Sequence, residues 1–207
     1  IVDEVMIFRR ALTLNEVTLL KDATASLKIS KPLPISAQTS SGIVAYWPLE
    51  EGPSGTTALD ADSSQSGTTD LFLGPSAAAE AADPKWTNGR VVGTYALEFD
   101  GVDDFLNGGT NPFAFTSAFT VSLWVKTAKT GTAMSLVEKQ NPGSSINPEY
   151  SLSINTSGGL VFTVNNGANT DTISTPLAYV TDGQWHHVLA SYDATRSQSI
   201  FLDAFDV

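Results

Sequence analysis

The only imidazoles in the chain are the adjacent His186 and His187. Neighbouring side chains on a strand point to opposite faces, so these two cannot chelate one metal from one side. They read as a strand-start packing motif beside Trp185. Carboxylates are more suggestive, because Glu50, Glu51, Asp60, Asp62, Asp100, Asp103 and Asp104 all gather near turns. Hard cations such as calcium take six to eight oxygens, and turns can supply carbonyls beside carboxylates; the same residues also serve as Asx turns and solvated charges. Trp86, Trp124 and Tyr150, with the amide-rich loops 140–148 and 165–171, are the residues suited to stacking on sugar CH faces while amides read hydroxyls. Rings in strands are more often core, Trp124 especially. For catalysis the text offers little. No E-x-x-x-E or E-x-D-x-x-E carboxylate pair stands in a strand, as a glycosidase of sandwich type would need, and no G-x-S-x-G elbow marks a nucleophile. The expectation is that the chain has no catalytic residues and is not an enzyme.

Something must hold these residues in place, and composition says what kind of scaffold it is. The 207 residues are 42% hydrophobic and 16% charged, enough for one sizeable core. With 22 acidic against 11 basic residues the formal charge is -11 and the pI about 4.4, which opposes nucleic acid and anionic membrane partners and favours divalent cations. There is no cysteine, so thiolate chemistry, disulfides and Cys-ligated zinc are excluded. No apolar run approaches the roughly 20 residues of a membrane helix, and the strand-like opening at Ile1 reads as an internal segment rather than a signal peptide.

Along the chain, residues 1–8 are β-branched and apolar and predict a strand. Thr13-Leu14-Asn15-Glu16 is a capping box that opens a short helix, with Leu14, Val17, Leu19 and Leu20 as its apolar side. Residues 23–42, rich in Ser and Thr and carrying Pro-Leu-Pro, predict a linker. Short apolar runs then follow between Gly, Pro, Asn and Asp, the pattern of an all-β sandwich. They cover residues 43–49, 96–99, 119–126, 135–138, 150–155, 160–164, 186–192 and 199–203, with Ser157-Gly158-Gly159 turning a hairpin. In 119–126, Phe119, Val121, Leu123 and Val125 share one face, with Thr120, Ser122, Trp124 and Lys126 on the other. Residues 52–88 are the least regular, and the alanine-rich 77–82 reads equally as a helical turn or a loop.

Several of these runs resemble a known family. Ala45-Tyr46-Trp47-Pro48-Leu49-Glu50-Glu51-Gly52, then Asp62-Ser63-Ser64, then Ala96-Leu97-Glu98-Phe99-Asp100-Gly101-Val102-Asp103-Asp104-Phe105 are similar to the first half of a laminin-G-like, concanavalin A-like jelly roll. Phe119-Thr120-Val121-Ser122-Leu123-Trp124-Val125-Lys126, Gln184-Trp185-His186-His187-Val188 and Ile200-Phe201-Leu202-Asp203 resemble its middle. The family's closing text resembles Val2-Asp3-Glu4-Val5-Met6-Ile7-Phe8-Arg9-Arg10-Ala11-Leu12-Thr13, which here stands first. Where the family turns a hairpin with glycine, this chain has Ala204, which puts the local turn geometry in question.

The resemblance implies an antiparallel β-sandwich with one short N-terminal helix. It divides the chain into 1–22, the closing strand and helix of a preceding or permuted domain; 23–42, a linker; and 43–207, a sandwich incomplete at its C-terminal end. It further implies a structural calcium joining the first-strand exit to the last strand, nominating Glu50, Asp62, Asp100 and Asp3. The expected function is a non-catalytic extracellular or cell-surface binding and adhesion module in a large multidomain protein, taking a glycan or a surface protein, with Trp86, Trp124 and Tyr150 as ligand residues. A structural repeat or filament subunit, assembled with neighbouring copies by strand exchange, is one alternative. An accessory carbohydrate-binding module of a hydrolase is the other. Neither nucleic acid binding nor membrane insertion is expected.

Overall fold

The computed structural model describes residues 1–26, 42–61, 69–109, 113, 115, 117–140, 148–165, 169–176, 180–193, 195 and 197–207. Fifteen strands and one helix occur among them. In chain order these are β1 (Val2–Phe8), α1 (Leu14–Ser26), β2 (Ile43–Trp47), β3 (Thr57–Ala58), β4 (Leu71–Leu73), β5 (Lys85–Asn88), β6 (Tyr95–Glu98), β7 (Leu106–Asn107) and β8 (Phe119–Lys126). There follow β9 (Met134–Gln140), β10 (Pro148–Ile154), β11 (Leu160–Asn165), β12 (Thr170–Ser174), β13 (Trp185–Tyr192), β14 (Gln198–Leu202) and β15 (Phe205–Asp206).

Every pairing is antiparallel. The large sheet runs β15-β14-β13-β8-β1-β6-β5, with β2 also on β1. Facing it, the second layer comes in two pieces, β12-β11-β10-β9 and β3-β4-β7. Phe119, Val121, Leu123 and Val125 of β8 point into the core between the layers, against Leu152 and Ile154 of β10 and Phe162 of β11. Each such apolar side chain contributes roughly 1.5–3 kcal/mol by leaving water. Phe119 anchors an aromatic stack, its ring 4.9 Å from Phe115 and 4.8 Å from Tyr150.

The apolar opening strand takes a central place. On one side β1 pairs with β8 along most of its length, from Val2↔Val125 to Phe8↔Thr120. On the other it meets β6 at Val2 and β2 from Val5 onward. Between these partners the register shifts at Glu4, whose φ of 52° marks a bulge. The residues that closed a family repeat in the sequence thus lie in the middle of this sheet.

The capping box forms as its text predicts: Thr13 N donates to Glu16 Oε2 at 2.8 Å, and Glu16 N to Thr13 Oγ1 at 3.4 Å. Arg10 forks onto the same carboxylate at 2.9 and 2.7 Å and holds its pKa down at about 2. The buried side of α1 differs from expectation. Val17 and Leu20, joined by Leu12 from the connection, cover Met6, Phe8, Tyr46, Leu189 and Phe201 on the outer face of the large sheet. Leu14 and Leu19 are exposed. Leu19, two residues from Val17 and so roughly 200° round the axis, faces away from the sheet. The helix also runs to Ser26, into the segment read as linker; 27–41 lie outside the described residues. Residues 77–82 form turns and bends, with Ser76 and Asp83 bonded to Glu80, and no helical turn.

Candidate functional site

The short hairpin β5–β6 brings together two rings, Trp86 and Tyr95. Trp86 pairs with Leu97 and Asn88 with Tyr95, so the alternation of a strand puts both rings on the same face at the sheet's edge. They meet edge to face, centroids 6.4 Å apart at 81°. Tyr95 is 37% exposed and Trp86 half-buried. The loop after β2 wraps against them. Trp86 Nε1 donates to Gly55 O at 2.7 Å, and a Cβ at residue 55 would sit 3.3 Å from the Trp86 ring and 2.9 Å from Glu51 Cβ. Gly52, at φ +76°, lies against Tyr95 in a backbone conformation that side chains rarely adopt.

Two carboxylates border the rings. Glu50 Oε2 accepts the Tyr95 amide at 3.0 Å, and Glu51 Oε1 accepts the Leu59 amide at 3.0 Å. Glu51 Oε2 is buried without a hydrogen bond among the described residues, and burial pushes the carboxyl pKa up against the pull of backbone amides. The edge therefore combines ring faces and edges with carboxylate acceptors, a set suited to sugar CH groups and hydroxyls.

The other nominated rings are enclosed. Tyr150 lies in the core stack at 2% exposure, its pKa raised by burial and by Glu149. Trp124, 6% exposed, is capped by the Arg90 guanidinium, 4.1 Å from its ring centroid. That cap belongs to a buried polar group on the outer face of the large sheet. Tyr46 donates its hydroxyl to Glu4, Arg90 N reaches Asp3 Oδ2 at 3.5 Å, and burial lowers the Arg90 pKa while Asp3 and Glu4 raise it. Burial and Glu4 together push the Tyr46 phenol up. These contacts tie β1 to β2 and to the turn after β5.

Of the four residues nominated for calcium, the three described ones, Asp3, Glu50 and Asp100, are not gathered around one point. Asp3 is fully buried, Glu50 lies at the Tyr95 amide, and Asp62 is outside the described residues. Asp100 groups with Asp103 and Asp104, whose ligand oxygens lie within 4.8 Å of one another; no other group of three or more meets that limit among the described residues. Two of these carboxylates already organise the turn, Asp100 Oδ1 taking the Val102 amide and Asp104 Oδ2 the Asp100 amide, both at 2.7 Å.

The histidines separate as their adjacency requires. His186 bridges Asp203 at 2.8 Å and Asp182 at 3.0 Å. Burial lowers its pKa, but the bonds to the two carboxylates outweigh that and raise it overall. His187 Nε2 lies 2.8 Å from Ser122 Oγ. A serine–imidazole pair is the arrangement that activates a nucleophile, yet both residues are 1% exposed and shut in beside Trp124. Tyr95 and the Ser122–His187 pair were not singled out in the sequence. Tyr95 was reachable, since Asn88-Gly89 and Gly93 flank a turn that would fold it back toward Trp86. Ser122–His187 depends on the β8–β13 register, which joins residues 65 apart.

Comparison with known families gives one match. The laminin-G-type model described as the concanavalin A-like lectin/glucanases superfamily matches residues 100–207, from the acidic turn to β15. No curated protein matches the chain.

Proposed function

The chain belongs to the concanavalin A-like lectin/glucanase superfamily, whose domains are carbohydrate- or protein-binding modules, and we propose that it is a non-catalytic glycan-binding and adhesion module of a multidomain protein at the cell surface or outside the cell. One observation carries the reading: Trp86 and Tyr95 form a partly exposed perpendicular pair at a sheet edge, bordered by Glu50 and Glu51. A pyranose laid on that edge stacks on ring carbon and donates a hydroxyl to the Glu50 carboxylate. The non-catalytic part rests on the enclosure of Ser122 and His187 and on Glu50 and Glu51 being engaged by backbone amides. Calcium belongs to the same proposal as a structural ion at Asp100, Asp103 and Asp104, where three carboxylates converge.

The test is a glycan array followed by affinity electrophoresis in the retained polysaccharide. Trp86→Ala should lose at least about tenfold in retention, the effect of removing a stacking ring worth roughly 1.5 kcal/mol, while Trp124→Phe leaves retention unchanged. No retained glycan, or equal retention by Trp86→Ala, would sink the reading.

The placement of β1 favours a second, architectural reading. A strand at the centre of the large sheet comes from residues 2–8, ahead of every other described strand in the chain. A neighbouring copy's β1 fills the same slot with the same contacts, and repeated exchange builds a filament.

A further inference from the structure

The division of the second layer has a chemical consequence. Between β7 and β9 no strand pairing occurs among the described residues, and beneath that gap the inner face of β1 is left under a cavity of about 450 Å³. This lies in the range of small-molecule sites. Its floor is Val2, Val5 and Ile7, and Trp47, Phe113 and Tyr150 close the back. The walls are Phe105 and Leu106 on one side and Leu136 and Val137 on the other.

Leu136 is turned toward the gap by a bulge. Ser135 pairs with Ser153 and Val137 with Leu152, so Leu136 is the extra residue, and bulges re-aim side chains in this way. Phe105, at the outer end, is 41% exposed. Close-packed interiors leave few spaces of this size. Polar groups share the lining, Asp104, Asn107, Ser135, Glu138 and Lys139 with the phenol of Tyr150, and the charged ones are two carboxylates and one ammonium. Two carboxylates against one ammonium, in a chain of net charge -11, repel an anionic head group and accept from a donor.

We propose that this inter-layer cleft binds an uncharged, ring-containing apolar small molecule with one hydrogen-bond donor, its rings over Val2 and Val5 and its donor at the Asp104 and Glu138 carboxylates. The site is distinct from the Trp86–Tyr95 edge and shares only Asp104 with the acidic turn proposed for calcium, so the probe is titrated in the presence of chelator.

N-phenyl-1-naphthylamine is a fitting probe, being neutral with a single N–H donor and brightening in apolar surroundings. Titrated into the full chain, it should saturate at one site. The 8-sulfonate of the same ring system should bind at least about tenfold more weakly, because charge repulsion acts on it alone. Leu136→Trp fills the cleft from the bulge and should weaken the neutral probe at least about tenfold while keeping the wild-type circular dichroism spectrum. Should that variant not fold, Phe105→Gln at the exposed mouth takes its place, with roughly threefold weakening expected. Emission that climbs without saturating, equal affinity in the filled variant, or equal affinity for the sulfonate overturns the proposal. So does loss of the probe site as copies pair at rising protein concentration, which would assign the cleft to an extended strand of a second chain.

Discussion

Burial gives His187 a pH signature. Desolvation holds its pKa down at about 4, with Arg90 and Lys21 lowering it further and Asp203 opposing. The unfolded chain, with an imidazole near 6.5, binds the proton more readily over that interval. Stability therefore falls as pH drops from about 6.5 toward about 4, by on the order of 3 kcal/mol from this residue. His186 acts with the opposite sign: its raised pKa gives stability that is present below about 6.5 and lost as pH rises through the folded value. Urea unfolding at a series of pH values should show the acid limb in wild type, kept in His186→Gln and missing in His187→Gln whatever the latter's absolute stability, while His186→Gln loses only the fall in stability above about pH 6.5. An unchanged limb in His187→Gln would contradict the assignment. Adjacency alone told that the two rings part company. The depth of His187 was illegible, because its face is sealed by Trp124 and by neighbours brought from β1 and the turn after β5.

At the scale of elements, the β14–β15 hairpin is held by a turn its sequence does not favour. Leu202 pairs with Phe205, leaving Asp203 and Ala204 at φ 53° and 70°. Two positive φ values in a two-residue loop match the strand twist, but only Asp203 has a side chain suited to them, and its carboxylate takes the His187 amide at 2.9 Å. Ala204→Gly should stabilise the domain by about 0.5–1 kcal/mol, read as a higher urea midpoint with unchanged m-value. Departure from the glycine that the family resemblance implies flagged this turn, and the fold accommodated it through strain rather than a different loop. Alternation located β8, β10, β11 and β13 nearly to the residue, since each presents apolar side chains at a period of two. The short pieces β3, β4, β5, β7, β12 and β15 carried no such signal. The helix was legible at its start, through the capping box, and less so on its faces, because which leucines are buried depends on the sheet beneath.

For the whole molecule, the decisive measurement is thermal unfolding with calcium and with chelator at several protein concentrations. If Asp100, Asp103 and Asp104 hold calcium, saturation at about a hundred times Kd should raise Tm by roughly 5–10 °C, and Asp103→Asn should abolish the rise. No shift would remove the ion. A midpoint that climbs with protein concentration marks strand exchange through β1, and a flat one marks β1 as the chain's own. The sequence by itself determined the sandwich, most of its long strands and the family resemblance, because periodicity and local turn chemistry are written into neighbouring residues. Tertiary structure alone decided that β1 sits between β8 and β2, that Trp124 and Tyr150 are enclosed, and that a cleft opens between β7 and β9. These depend on contacts between residues tens of positions apart, and no local pattern encodes which distant strand a face will meet.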